Sequence, residues 1–349
     1  MGRHESSCIK NNLLYYPYIN LPENTWLTRM LLYYDKIGTI TPPIYKRHPN
    51  KFMPYTLDLI KEELVIQIFP YEYVHSIERF AESFEEYIDS LGDDLISRRQ
   101  SFRKQDNPFR PNRMEIHVSK MEPLCDYLVR NRIAQKVDNE WYDVEISTAL
   151  DFMSYLAAMI GQVDEAGFVP VTDELFPLNR LVKSISHDAR VQSKTRQIRT
   201  QLIENLFPAP AQPLEALDIL RFKEKHGNKL SEFRNHVENA IINILNIADN
   251  DLRERRIALF NTKAQEDIEE IINAMREHGW IITKCANFYA LLSEIPVIGV
   301  PMKIVREVYN TATGTYSPNI KMVKETPLLY AAVAQKELLL NNKLKTKRL

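Results

Sequence analysis

The sequence predicts an α+β protein, mostly helical, in which a small N-terminal α/β domain is followed by a helical C-terminal domain. Three observations carry this expectation. Short runs rich in aromatic and β-branched residues alternate with helical patterns over residues 13–70. The stretch Phe207-Pro-Ala-Pro-Ala-Gln-Pro213 has the composition of an extended, semi-rigid linker. Beyond it, Ile219, Phe222, His226, Leu230, Phe233, Val237, Ala240, Ile241, Ile244 and Ile247 recur at steps of three and four, which places them on one face of a long helix.

The elements follow in order. Leu14-Tyr-Tyr-Pro-Tyr-Ile19 has the aromatic content of a strand and is closed by Pro17 and Pro22. Asn24 is placed as the N-cap of a helix through Trp26, Leu27, Met30 and Leu31. Ile37-Gly-Thr-Ile40 is a second strand, stopped by Pro42-Pro43. Residues 54–63 read as a helix, and Leu64–Phe69 as a third strand stopped by Pro70. A strand–helix alternation of this kind suggests a small, partly parallel sheet with covering helices.

A longer helix is expected from about Val74 to Arg103, with a break at Gly92. It is acidic in its first half and basic in its last, which suits the helix dipole without any ligand. Met114–Ser119 alternates as a strand, Leu124–Ile133 reads as a helix and Glu140–Val144 as a short strand. Ser147 is placed as the cap of a helix with Leu150, Met153, Leu156, Ala157 and Ile160 facing inward. Asp164–Pro177 reads as loop. The organisation expected is therefore an α/β domain over 1–165, a connecting region over 166–213 that carries a basic run and the proline-rich segment, and a helical domain over 214–349. Helices are expected there at 214–248, 251–278, 281–293, 301–310 and 327–342.

Composition narrows the function. The chain has 349 residues, 9 glycines and a formal net charge of −1, so neither glycine-rich phosphate loops nor a global pull toward nucleic acid is expected. Cys8, Cys125 and Cys285 form no CxxC pair and no zinc spacing, which fits reduced thiols in a cytoplasmic protein. The N-terminus lacks the apolar core of a signal peptide. Residues 285–305 are strongly apolar but are interrupted by Ser293, Glu294, two prolines and Lys303. A buried turn between helices is expected there rather than a membrane span.

Candidate sites are few. Glu115 and His117 share one strand face if Ile116 and Val118 face the core, and such a pair suits acid–base or metal chemistry. Asp173 lies in Pro170-Val-Thr-Asp-Glu174, whose oxygens suit a cation. Arg221, His226 and Arg234 offer a basic cluster for an anionic ligand or partner. Arg98, Arg99, Arg103 and Lys104, with Lys194, Arg196 and Arg199, form two basic stretches. The first is interleaved with Phe102 and Phe109, which could stack on bases. No metal site and no cofactor motif is recognised.

Several segments in this order resemble a family of bacterial proteins known only as a domain of unknown function. They are Leu14-Tyr-Tyr-Pro-Tyr-Ile19 with Trp26, Ile116-His-Val-Ser-Lys120, Pro170-Val-Thr-Asp173, and Arg221-Phe222 with His226, Phe233 and Arg234. The resemblance covers roughly residues 13–240 and implies a bacterial cytoplasmic protein, with a setting that suggests phage defence; it implies no catalytic residues. The leading expectation is a non-catalytic interaction protein, a subunit or sensor of a multi-protein system that forms a homo-oligomer or binds a protein partner. One alternative is a metal-assisted hydrolase or nuclease built on Glu115, His117 and Asp173. The other is a nucleic-acid-binding module built on the two basic stretches.

Overall fold

A computed structural model describes residues 11–104, 112–163, 167–173, 187–207, 210, 213–277, 308–310, 316–318 and 327–345. The fold is α+β and mostly helical. The chain divides into two compact units: Met1–Glu23 with Tyr34–Arg190, and Asn24–Tyr33 with Val191–Leu349. The division falls at Arg190 rather than at the proline-rich segment, and it assigns one short N-terminal helix to the later unit.

The first unit is built on a parallel sheet of β1 (Asn12–Tyr15), β2 (Ile37–Ile40), β3 (Val65–Ile68) and β7 (Phe168–Val171), in the order β3-β2-β1-β7. All three pairings are parallel. Strand β1 stops at Tyr15, because Pro17 has no N–H to continue the ladder. Strand β7 lies where a loop is expected. Pro170 in its middle argues against a strand, yet β7 is at the sheet edge, where a missing donor is tolerated. Gly38 permits close approach in β2: an added Cβ would stand 2.8 Å from Ile68 Cγ1 and 3.0 Å from a Phe168 ring carbon.

Helix α1 (Thr25–Tyr33) belongs to the second unit; in the first unit α2 spans Ile44–Arg47, α3 Pro54–Lys61 and α4 Tyr71–Val74. The expected helix over 74–103 is instead two, α5 (Phe80–Asp89) and α6 (Asp93–Arg103). Gly92 between them has φ 53°, and Arg79, ahead of α5, has φ 55°, so the chain turns at both places. An antiparallel sheet follows, of β4 (Arg113–His117), β5 (Ala134–Lys136) and β6 (Trp141–Glu145), in the order β4-β6-β5. It is interleaved with α7 (Val118–Met121) and α8 (Cys125–Arg130).

Helix α9 (Ile146–Gln162) begins at once after β6, so its cap is Glu145 rather than Ser147. The Glu145 carboxylate accepts from the Thr148 amide at 2.8 Å and from its hydroxyl at 2.9 Å. One core joins both sheets: Leu14, Ile40, Ile68 and Phe168 from the parallel sheet meet Ile116 and Val144 from the antiparallel one and Phe84, Phe152 and Leu156 from the helices.

The second unit contains α10 (His187–Leu206, from Val191 onward), α11 (Ala216–Leu245), α12 (Asn250–Glu277) and α13 (Leu329–Lys345). Helix α11 carries the expected stripe: Ile219, Phe222, His226, Leu230, Phe233, Val237, Ile241 and Ile244 are all buried. Phe233 sits among Tyr33, Phe207 and Tyr330, with ring centroids 6.0, 5.2 and 5.8 Å away. Helix α1 opens with the expected cap, the Leu27 amide donating to Asn24 Oδ1 at 2.9 Å. Its last carbonyls are satisfied by side chains of this unit: Lys223 Nζ donates to Leu31 at 3.0 Å, Tyr330 Oη to Leu32 at 2.9 Å and Arg234 Nε to Tyr33 at 2.7 Å. Residues 308–310, expected to be helical, form a strand β8 paired antiparallel with β9 (Tyr316–Pro318). The helix expected at 281–293 lies outside the described residues.

Candidate functional site

The first unit holds a cavity of about 720 Å³ at the carboxyl ends of its parallel strands. Tyr15 ends β1, the segment Pro17–Glu23 follows it, and Asp173 lies just past β7. Strand β1 stands between β2 on one side and β7 on the other, so the chain's connections diverge there. Open α/β sheets bind ligands at such a switch point. Tyr45, Met53 and Tyr55, between β2 and β3, contribute another part of the wall. The antiparallel sheet and its helices supply Met114, Glu115, Ile116, Lys120, Trp141 and Met153.

Aromatic and thioether side chains dominate this wall, as in sites for small organic molecules. Its polar groups are distinct in placement. Glu23 and Glu115 are exposed, at the mouth. The half-buried Asp173 carboxylate accepts a hydrogen bond from the buried Tyr15 hydroxyl at 2.9 Å. Lys120 is the one cationic side chain among the described wall residues, and it is only 5% exposed. Among the described residues no carboxylate pairs with its ammonium. Burial therefore pushes its pKa down to about 7. It comes from α7, a single turn set after β4 by His117, whose Nδ1 accepts from the Ser119 amide at 3.1 Å.

The expected residues fall as follows. Glu115 and Asp173 both line this cavity. His117 does not pair with Glu115. It is buried, edge-on to Trp141 at 5.0 Å, and its Nε2 has no hydrogen-bond partner among the described residues. Because Nδ1 accepts, the proton resides on Nε2, and burial pushes the ring's pKa down. Strand alternation failed here because β4 ends at His117 and the chain turns into α7. Among the described residues no group of three or more His, Cys, Asp or Glu side chains is placed to hold a metal ion.

Arg221, His226 and Arg234 do not converge. Arg221 is exposed, and Arg234 caps α1. His226 Nε2 lies 3.2 Å from both carboxylate oxygens of Glu337, which Lys225 also meets at 2.7 Å. The basic stretches are likewise mostly committed internally, and they belong to different units. Arg98 is buried and bonds Asp151 at 2.8 Å, and Arg99 donates to Asn131 at 2.8 Å. Arg199 makes a two-pronged pair with Glu238 at 2.6 and 2.7 Å. Lys194 reaches Asn250 at 3.3 Å and Arg196 is half-buried; Arg103 and Lys104 are exposed. Phe102 is buried under Arg113, at 4.6 Å from ring to guanidinium, so it is not presented to bases. Phe109 lies outside the described residues.

Lys120 was missed by sequence reasoning. It stands in the segment Ile116-His-Val-Ser-Lys120, but a lone lysine after a strand is ordinarily solvated. Of the cysteines, Cys8 and Cys285 lie outside the described residues, and Cys125 is a buried free thiol pushed up to about 11 by burial. Among the described residues no helix is long and apolar enough to cross a membrane. No family model, curated protein or solved structure matches the chain.

Proposed function

We propose that the chain is a small-molecule sensor: its first unit captures a ligand in the cavity at the carboxyl ends of the parallel strands, and it acts as a non-catalytic subunit of a bacterial multi-protein system. The observation that carries this reading is the buried Lys120, unpaired among the described residues, in the wall of an aromatic-lined cavity of about 720 Å³. A buried amine without a counter-charge is costly, and folds retain such groups mainly at functional sites. The internal commitment of Arg98, Arg99 and Arg199 supports this reading over nucleic-acid binding.

Native mass spectrometry of the chain purified from its own host tests this. Retention of a small-molecule mass, lost from the Trp141→Ala variant, is the expected result. A ligand-free mass, with no rise in melting temperature on adding a host metabolite extract, would sink the sensor reading.

A further inference from the structure

We infer that Lys120 is a nucleophile that captures a carbonyl compound, a neutral aldehyde or ketone, as a reversible imine in this cavity; the inference rests on the receptor reading and names its ligand class. An anionic ligand would pair with Lys120 but would face Glu23, Glu115 and Asp173 in the same wall, with no second cation among the described wall residues. A neutral carbonyl compound meets no such opposition. The aromatic wall of Tyr18, Tyr45, Tyr55 and Trp141 suits an apolar or aromatic body.

The amine itself is prepared for the step. Buried at 5% exposure and with no carboxylate partner among the described residues, it is held substantially uncharged at neutral pH, where an exposed lysine is an ammonium. A lysine desolvated in an apolar pocket is one of the recognised ways of activating an amine toward carbonyls. The Nζ lone pair forms a bond to the carbonyl carbon. The carbonyl oxygen takes up the two amine protons and leaves as water, and a C=N bond remains. No oxidant or reductant is consumed. The neutral imine is compatible with an apolar surrounding and returns to amine and carbonyl when water re-enters.

Benzaldehyde serves as the probe, in the presence of cyanoborohydride, which reduces the imine to a stable secondary amine. The full chain is labelled at pH 7 and mapped by peptide mass spectrometry. Adduct at Lys120 is expected to exceed that at exposed Lys51 or Lys136 by about tenfold or more, because each unit of lowered pKa multiplies the free-amine fraction by ten. Lys120→Arg and Lys120→Met are expected to lose that adduct while keeping the surface background. The inference is overturned if the exposed lysines are labelled and Lys120 is not. Benzyl alcohol, which cannot form an imine, separates the two levels. If it shifts the Trp141 indole or the Met114 and Met153 methyl resonances while Lys120 stays unlabelled, the receptor reading stands and the imine falls. If neither compound engages the cavity, both fall.

Discussion

A lysine buried without a counter-charge is a stability liability whose sign can be worked out. In the unfolded chain Lys120 titrates near its ordinary value of 10.5, and in the folded chain near 7. Between those values the unfolded state binds more protons, so stability rises with pH across that window and is lowest below it. At about 1.4 kcal/mol per unit, the full effect is on the order of 5 kcal/mol at most. Lys120→Met removes the amine and fills similar space. Urea titrations from pH 6.5 to 10 should show the wild-type midpoint climbing relative to the variant, with the variant more stable at pH 7. Parallel curves would contradict a desolvated amine. Glu337 works in the opposite sense. Burial raises its pKa, but hydrogen bonds from His226 and Lys225 outweigh that and hold the carboxyl below its usual range. Its contribution is present above the ordinary carboxylate value and is lost as pH falls through and below it. Glu337→Gln should cost about 1–3 kcal/mol at pH 6, and the gap to wild type should narrow on acidification to pH 3.

Elements differ in how far local sequence determines them. The α11 stripe was legible because burial of one face imposes a period that only a helix matches, and Asn24 was legible because a cap is a local device. Strand β7 was not, since Pro170 is a strand breaker everywhere except at an edge, and edge position is set by the rest of the sheet. Nor was the membership of α1: nothing within residues 24–33 says which core the helix joins, because the side chains that hold its carbonyls stand near 223, 234 and 330. The site was half legible. Glu115 and Asp173 were named for a metal and do line the cavity, whereas Lys120 matters through its burial, which no local pattern encodes. Two substitutions probe the elements. Gly38→Ala would force Ile68 and Phe168 aside and should cost about 1–3 kcal/mol. Phe233→Ala would open a void among Tyr33, Phe207 and Tyr330 and should cost about 3–5 kcal/mol. Chemical denaturation measures both, and a loss under 0.5 kcal/mol for Phe233→Ala would contradict the packing of α11.

At the scale of the whole chain, a sensor needs a route from ligand to response, and chain connectivity supplies one. The segment Pro17–Glu23 lines the cavity of the first unit and runs directly into Asn24–Tyr33, which belongs to the second. The chain then returns to the first unit at Tyr34, so α1 is tethered at both ends to the first unit while its carbonyls are held by Lys223, Tyr330 and Arg234. A ligand that reorders residues 17–23 thus acts on α1 through a covalent link. Coupling of this kind requires that the ligand interact differently with the two states of the linked element. Amide hydrogen exchange on the chain, before and after reductive capture of benzaldehyde, reads it directly. Exchange is expected to slow over residues 17–23 and to change across Thr25–Tyr33, while α12 serves as the internal reference. In Arg234→Ala, where the last carbonyl of α1 loses its donor, the response of α1 should be larger and that of residues 17–23 unchanged. A response that stops at Glu23 in both proteins would leave a ligand-binding unit with no output through α1, and the sensor reading would then have to give way to simple capture.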